Sequence, residues 1–318
     1  MKANKDTEIV IFTEASEDVG LGHLMRCLAI GQGFSSINKD TRYIIRGDDS
    51  ILPHLKGIQF DIFDWIKQDS FDKYKFFSNV AIVDSYNTPL SLCEKIYERF
   101  SKCLFFDDFN RITYPGGIVL NSVVGAEFIN YPNKHNLKYL LGPTYHPFRK
   151  PFWEVQEFNI NDKIENILIT FGGSDSLNLT PLYLSLVRNK FPQALITVII
   201  GSGFNDKMKS MKTKDNNTIF LICPDADEIK NQMLITDLAI SAAGQTLAEL
   251  ARIGVPTIGV KVAENQEYMI KFWKEIGFLI DETFLESNIS KEIRYKSSIA
   301  GRELLKENGI INIIKEII

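Results

Sequence analysis

The chain has 318 residues, 45% of them hydrophobic and 24% charged, with a formal net charge of −4. That length exceeds what one hydrophobic core ordinarily serves, so two domains are expected. Basic residues are dispersed among acidic ones, which excludes the concentrated basic face a nucleic-acid binder needs, and the longest apolar runs, such as Ala194 to Ile200, fall well short of the roughly 20 residues that span a bilayer.

Short apolar runs alternate with helix-length amphipathic stretches, the pattern of parallel sheets covered on both faces. In the first half, strands are expected at Glu8–Phe12, Thr41–Arg46, Val80–Val83 and Cys103–Phe106, with helices at His23–Phe34 and Pro89–Phe100. In the second half, strands are expected at Asn166–Phe171, Leu195–Ile200, Thr218–Leu221, Leu238–Ser241 and Thr257–Val260. Helices fit at Pro181–Asn189 and Thr246–Ile253, the latter stopped by Gly254 and Pro256. Gly142 to Phe152 contains three prolines and reads as a linker. The expected division is a first Rossmann-like domain over 1–147, a second over 148–296, and a closing helical segment over 297–318 broken at Gly309. Two doubly wound α/β domains facing each other would gather their ligand loops around one cleft.

The polar N-terminus leads straight into a strand without a signal-peptide pattern, so a cytoplasmic location is expected. Cys27, Cys93, Cys103 and Cys223 are scattered and form no Cys-x-x-Cys pair, which argues against a disulfide framework or a zinc site. No cluster has metal-ligand spacing, so neither metal nor cofactor is expected.

The chemistry should lie in loops that follow strands. After the first strand, Gly20-Leu21-Gly22-His23 lets the backbone turn tightly at a helix start. Met25 stands where a third glycine would complete the dinucleotide fingerprint. His23 is either a general base at a helix N-terminus or a polar residue satisfying helix-start groups. After the first strand of the second half, Gly172-Gly173-Ser174-Asp175 forms either a nest of N–H donors for a diphosphate or an ordinary tight turn, with Asp175 as cap of the next helix. Farther on, Gly244-Gln245-Thr246 would let a ligand pack against a helix start. Glu249 would either accept ribose hydrogen bonds or complete a Thr246-x-x-Glu249 capping box. The amides of Asn265 and Gln266 would hold sugar or phosphate oxygens or form a surface turn. Asp84, Tyr86, Asp107 and Asp108 follow strands of the first half, where carboxylates orient sugar hydroxyls, act as an acid/base pair, or cap turns.

Taken in order, Gly20-x-Gly22-His23-x-x-Arg26-Cys27-Leu28, Asp84-x-Tyr86, Asp107-Asp108, Leu141-Gly142-x-x-Tyr145, Gly172-Gly173-Ser174-Asp175-x-x-Asn178, Ala243-Gly244-x-Thr246-x-x-Glu249-Leu250 and Glu264-Asn265-Gln266 resemble a known family. It is that of the UDP-2,4-diacetamido-2,4,6-trideoxy-β-L-altropyranose hydrolases of the pseudaminic-acid pathway and the related spore-coat polysaccharide proteins. The second half is more distantly similar to the peptidoglycan N-acetylglucosaminyltransferase, which implies the two-domain GT-B fold. The resemblance implies His23 as general base, Gly172, Gly173 and Ser174 as the diphosphate site, and Glu249 as ribose ligand. Further substrate contacts are expected from Glu14, Gly20, Gly22, Asp84, Tyr86, Asp108, Asn178, Gly244, Gln245, Thr246, Asn265 and Gln266.

The chain departs from the family at Phe12-Thr13-Glu14, where the family carries an Arg-x-Asp pattern. The implied activity is release of UDP from a UDP-activated amino sugar by inverting attack of water at the anomeric carbon. The rivals are an inverting UDP-sugar glycosyltransferase and a non-catalytic nucleotide-sugar binder.

Overall fold

The computed structural model describes residues 9–16, 19–76, 78–204, 208, 215–263, 266–281, 283 and 288–318. The chain divides into two units, the first made of Met1–Lys150 and Asn308–Ile318, the second of Pro151–Glu307.

The first unit carries β1 (Ile9–Ala15), β2 (Thr41–Gly47), β3 (Gln59–Ile62), β4 (Val80–Asp84), β5 (Lys102–Phe106), β6 (Gly117–Asn121) and β7 (Leu137–Leu141). They form one seven-stranded parallel sheet in the order β3-β2-β1-β4-β5-β6-β7. Its helices are α1 (Gly22–Ser36), α2 (Gln68–Lys73) and α3 (Leu90–Arg99). Strand β1 is buried along its whole length, which is why Ile9-Val10-Ile11-Phe12 reads as an unbroken apolar run. On one face Phe12 meets Trp65, Phe71, Phe76 and Phe100, and the Trp65 indole N–H donates to the Thr13 carbonyl at 2.9 Å.

The second unit carries β8 (Asn166–Thr170), β9 (Leu195–Ile200), β10 (Thr218–Ile222), β11 (Leu238–Ala242), β12 (Thr257–Val260) and β13 (Leu279–Ile280), all parallel, in the order β10-β9-β8-β11-β12-β13. Its described helices are α4 (Thr180–Lys190), α5 (Ala226–Leu234), α6 (Gln245–Ile253), α7 (Gln266–Glu275) and α8 (Lys291–Leu304). Both units are thus doubly wound. In each sheet the strand order reverses once, between β1 and β4 and between β8 and β11, the place where sheets of this kind form their ligand crevice at the carboxyl ends of the strands.

Every strand expected from the sequence is present, and β3, β6, β7 and β13 are additions. The stretch read as a linker contains the change from the first unit to the second, at Lys150–Pro151, and carries local structure of its own. Its residues form two 3₁₀ turns, Pro143–Tyr145 and Lys150–Phe152, and Phe148 and Phe152 are buried. Prolines that forbid a long helix still allow such single turns. The closing stretch expected over 297–318 is divided between the units at Glu307.

Its last helix, α9 (Gly309–Ile317), packs in the first unit, N-capped by the Asn308 side chain accepting from the Ile310 N–H at 3.2 Å. Gly309 begins this helix because a Cβ there would come within 2.4 Å of the His146 backbone. Buried Ile310, Ile313 and Ile317 seat α9, and Gly33 of α1 makes room for Ile310, whose Cγ2 would lie 2.2 Å from a Cβ at that position. Among the described residues, no helix is long and apolar enough to cross a membrane.

Because Ile313 is fully buried, Ile313→Ala should cost roughly 2–4 kcal/mol through lost burial and a residual cavity. Native-state hydrogen exchange should quicken in α9 and α1 first. Quickening that begins in the second unit would contradict the seating of α9 described here.

Candidate active site

The first unit gathers the titratable residues singled out in the first half of the sequence around the carboxyl ends of β1 and β4. Thr13 pairs with Asp84, the last residue of β4, so the end of β4 lies beside the C-terminal part of β1. The chain leaves β1 through a loop closed by the Gly20 N–H donating to the Ser16 carbonyl at 2.8 Å, with Gly20 at φ +81°. Helix α1 begins two residues later and carries His23 in its first turn and Arg26 one turn beyond it.

Asp84 is wholly buried and serves both side chains. Its Oδ1 lies 2.6 Å from His23 Nδ1 and 2.6 Å from Arg26 Nη2, and its Oδ2 accepts from Arg26 Nε at 2.5 Å. Arg26 reaches a second carboxylate through Nη1, 2.7 Å from Asp108 Oδ2, and its guanidinium lies 4.5 Å from the centre of the Phe106 ring. Burial alone would raise the Asp84 carboxyl, but Arg26 and His23 override it and hold it well below the usual carboxylate range.

An ionised carboxylate only accepts, so the proton of the neutral imidazole sits on Nδ1 and Nε2 carries the free lone pair. This is the arrangement of a general base oriented by an acid. Cys27 also donates to Asp84 Oδ2 at 3.6 Å, and burial, with Asp84 beside it, pushes its thiol up and keeps it protonated.

Tyr86 lies edge-on to His23 with ring centres 4.4 Å apart, and its hydroxyl donates to Asp108 Oδ2. Burial and the Asp108 carboxylate push the Tyr86 phenol far up, so it remains a donor. Glu14 is held by partners from β2 and from the loop after β4. It is buried, and its oxygens accept from Ser85 Oγ at 2.9 Å, from Asn87 Nδ2 at 3.0 and 2.9 Å, and from Arg46 Nη1 at 3.2 Å. Both of its oxygens are occupied in fixing the loop after β4.

The crevice of the second unit is built from uncharged donors. Gly172 stands at φ +78° after β8, and the Gly173 carbonyl accepts from the Gly203 N–H at 3.0 Å. Asp175 caps the next helix, its carboxylate accepting from the N–H groups of Leu179 at 2.8 Å and Thr180 at 2.7 Å. Asn178 adopts φ +53° and serves this turn.

Helix α6 follows β11 with Gly244 as its N-cap and no side-chain cap, so the Thr246-x-x-Glu249 capping box is not formed. Thr246 already lies inside the helix, two positions past the N-cap. Glu249 is a buried carboxylate of the same helix. Among the described residues no heavy atom lies within 4 Å of a Cβ built on Gly22, Gly173 or Gly244, so crowding within the chain does not explain these glycines. Gln266 opens α7, and its Oε1 accepts from the Val262 N–H at 3.0 Å. Asn265 lies outside the described residues. Among the described residues no three His, Cys, Asp or Glu side chains converge as metal ligands.

No family model matches the chain. It is 28% identical over 315 residues to an uncharacterized protein of Methanocaldococcus jannaschii, covering 89% of this chain and 64% of that protein's length. It is 23% identical over 326 residues to the spore coat polysaccharide biosynthesis protein SpsG of Bacillus subtilis, covering 95% of each. It is 24% identical over 261 residues to the pseudaminic acid cytidylyltransferase and UDP-2,4-diacetamido-2,4,6-trideoxy-beta-L-altropyranose hydrolase of Helicobacter pylori, covering 81% of this chain and 45% of that one.

Among solved structures it resembles MurG of Acinetobacter baumannii, with a TM-score of 0.62 at 13% identity over 98% of this chain and 99% of the other. It likewise resembles the calicheamicin glycosyltransferase CalG4, with a TM-score of 0.61 at 10% identity over 98% of both. The fold is of the GT-B class. At such identities the structural likeness speaks for the fold alone.

The crevice of the first unit brings His23, Asp84, Tyr86 and Asp108 together as a hydrogen-bonded set, with Gly20 and Gly22 in the loop leading to it. Arg26, at its centre, had been noted only as part of a motif. Its signal was an arginine inside the apolar helix run Leu24-Met25-Arg26-Cys27-Leu28-Ala29, where a buried cation demands an anion.

Arg26→Met should therefore strand two buried carboxylates and cost roughly 3–5 kcal/mol at neutral pH. Because the folded protein holds Asp84 below its unfolded pKa, this stabilisation is fully present above about pH 5 and fades as pH falls below about 4. The gap between wild type and variant in urea unfolding should narrow from pH 7 to pH 3. An equal gap at both would show that charge pairing is not what Arg26 supplies.

Proposed function

We propose that the chain is a nucleotide-sugar hydrolase that releases UDP from an acetamido-deoxy sugar by inverting attack of water at the anomeric carbon. What carries this reading is His23, whose Nδ1 is fixed by Asp84 and whose Nε2 is the free nitrogen. Two of the relatives, named for a spore coat polysaccharide and for a UDP-sugar hydrolase, support a place in building surface polysaccharide or nonulosonic acids. A cytoplasmic setting belongs to the same reading.

In the reaction, His23 Nε2 takes a proton from water as the oxygen bonds to the anomeric carbon. The bond from that carbon to the phosphate oxygen breaks, and UDP departs with the electron pair. The imidazolium formed is matched by Asp84 and then returns its proton to solvent. Glycosidases need a general acid as well, since their leaving group is a poor one. UDP leaves as a stable anion, so a single base with donors on the diphosphate suffices. The backbone N–H groups of Gly172, Gly173 and Ser174 and those at the start of α6, from Gly244 through Gln245 and Thr246, are assigned to the diphosphate. Glu249 is assigned to the ribose hydroxyls, and Asn178, Asn265 and Gln266 to the rim of the substrate. Glu14 is assigned a positioning role through Ser85 and Asn87.

A second reading, an inverting glycosyltransferase, is compatible with the same fold and the same base. There a hydroxyl replaces water at the same base. A non-catalytic binder would keep the second unit's loops and make His23 dispensable.

Incubation with a panel of UDP-sugars should release UDP without any acceptor. His23→Asn should cut that release roughly a hundredfold or more with UDP affinity kept, whereas Glu249→Ala should weaken UDP binding by about 1–3 kcal/mol. Release that begins only when a hydroxyl acceptor is added would favour the transferase. Normal turnover of His23→Asn would remove the proposed base.

A further inference from the structure

The loop after β5 holds an aromatic side chain that the core does not use. Phe109 is 46% exposed, yet the chain around it is tied down. The buried Asp107 carboxylate accepts from the Phe109 N–H at 3.1 Å and from the Arg111 N–H at 3.0 and 2.9 Å. Asn110, between them, takes the left-handed conformation at φ +55°, and its side-chain amide donates to the Asn130 carbonyl at 3.0 Å. Arg111 Nη1 donates to the Thr88 carbonyl at 2.8 Å. A lone exposed hydrophobic residue on a loose loop is unremarkable. One whose backbone is clamped by a buried carboxylate has already given up the freedom that binding would cost it.

Its position is as informative as its rigidity. The Phe109 ring lies 5.3 Å from Tyr86, and the Tyr86 ring lies 4.4 Å from His23, so a row of three rings runs from the proposed base to the exposed edge. The residue before it, Asp108, is more than nine-tenths buried, with Oδ2 shared by Arg26 and Tyr86 and Oδ1 without a hydrogen-bond partner among the described residues. An apolar wall beside a few fixed polar groups is how small-molecule sites are made. A pyranose offers the matching chemistry: C–H bonds of slightly positive charge on one face, which suit the negative face of an aromatic ring, and hydroxyl or amide donors at its rim.

We infer that Phe109 is the platform on which the C–H face of the substrate's sugar ring packs, and that Asp108 Oδ1 accepts from a hydroxyl or amide N–H of the same sugar. The inference rests on the proposed UDP-sugar chemistry and assigns Phe109 the sugar-specific share of the affinity.

The test is titration calorimetry with two probes, UDP and the methylene-phosphonate analogue of UDP-N-acetylglucosamine, which cannot lose UDP. Wild type should bind the analogue roughly three- to tenfold more tightly than UDP. Phe109→Ser should abolish that advantage while leaving the Kd for UDP unchanged, and Phe109→Tyr, which keeps a ring, should restore it. The inference is overturned if Phe109→Ser keeps the wild-type ratio, if wild type shows no advantage for the analogue, or if UDP and the analogue weaken equally. Failure of wild type to bind UDP at all would instead sink the UDP-sugar reading itself, and this inference with it.

Discussion

A guanidinium buried to the extent of Arg26 must be matched by negative charge, and it is matched twice, by Asp84 and Asp108. The rest of the first unit's site depends on that match. Arg26 helps hold Asp84 ionised despite burial, and an ionised Asp84 dictates which nitrogen of His23 carries the proton. Through Asp108 the same cation fixes the acceptor of the Tyr86 hydroxyl, and Tyr86 in turn lies against the His23 ring. The ends of β1, β4 and β5 and the first turns of α1 are thereby tied into one electrostatic unit. The docking of α1 is supported from its other end, where α9 fills the space left by Gly33.

The two units repeat one architecture with different chemistry at the equivalent place. Each has its crevice where the strand order reverses. The first places there a histidine, an arginine and two aspartates. The second places glycines, a helix start without a side-chain cap, and one buried glutamate. A charged, hydrogen-bonded set suits proton transfer, whereas open backbone donors suit an anion that binds and leaves. The proposed function assigns those two tasks to the units accordingly.

Much of this was legible in the sequence, for identifiable reasons. Central strands such as β1, β8 and β11 carry unbroken apolar runs because both of their faces are covered, and they stand out in the sequence. Of the strands that escaped notice, β6 has a short apolar core, Ile118-Val119-Leu120, and the other three are weakly patterned. β3 at one sheet edge and β7 at the other are only partly buried, and β13 has two residues. Asp84 and Asp108 were legible because they stand at or just past strand ends, and His23 because it opens the helix after the first strand. Arg26 was less so, because its role depends on partners 58 and 82 residues away, and no local pattern encodes a long-range ion pair. Glu14 follows the same loop logic as Asp84 yet points to a different task, since only the fold brings Ser85, Asn87 and Arg46 to its oxygens. The capping box at Thr246 was a local pattern that the helix overrode by taking its N-cap two residues earlier, at Gly244.

The central claim is that a base fixed by Asp84 delivers water to carbon and leaves phosphorus untouched. Turnover of a UDP-sugar in oxygen-18 water tests this directly, with mass spectrometry of both products and NMR of the sugar within the first moments. The account predicts label at the anomeric oxygen of the free sugar, unlabelled UDP, and the inverted anomer before mutarotation. Label in UDP or in a sugar phosphate would place the attack at phosphorus and contradict it.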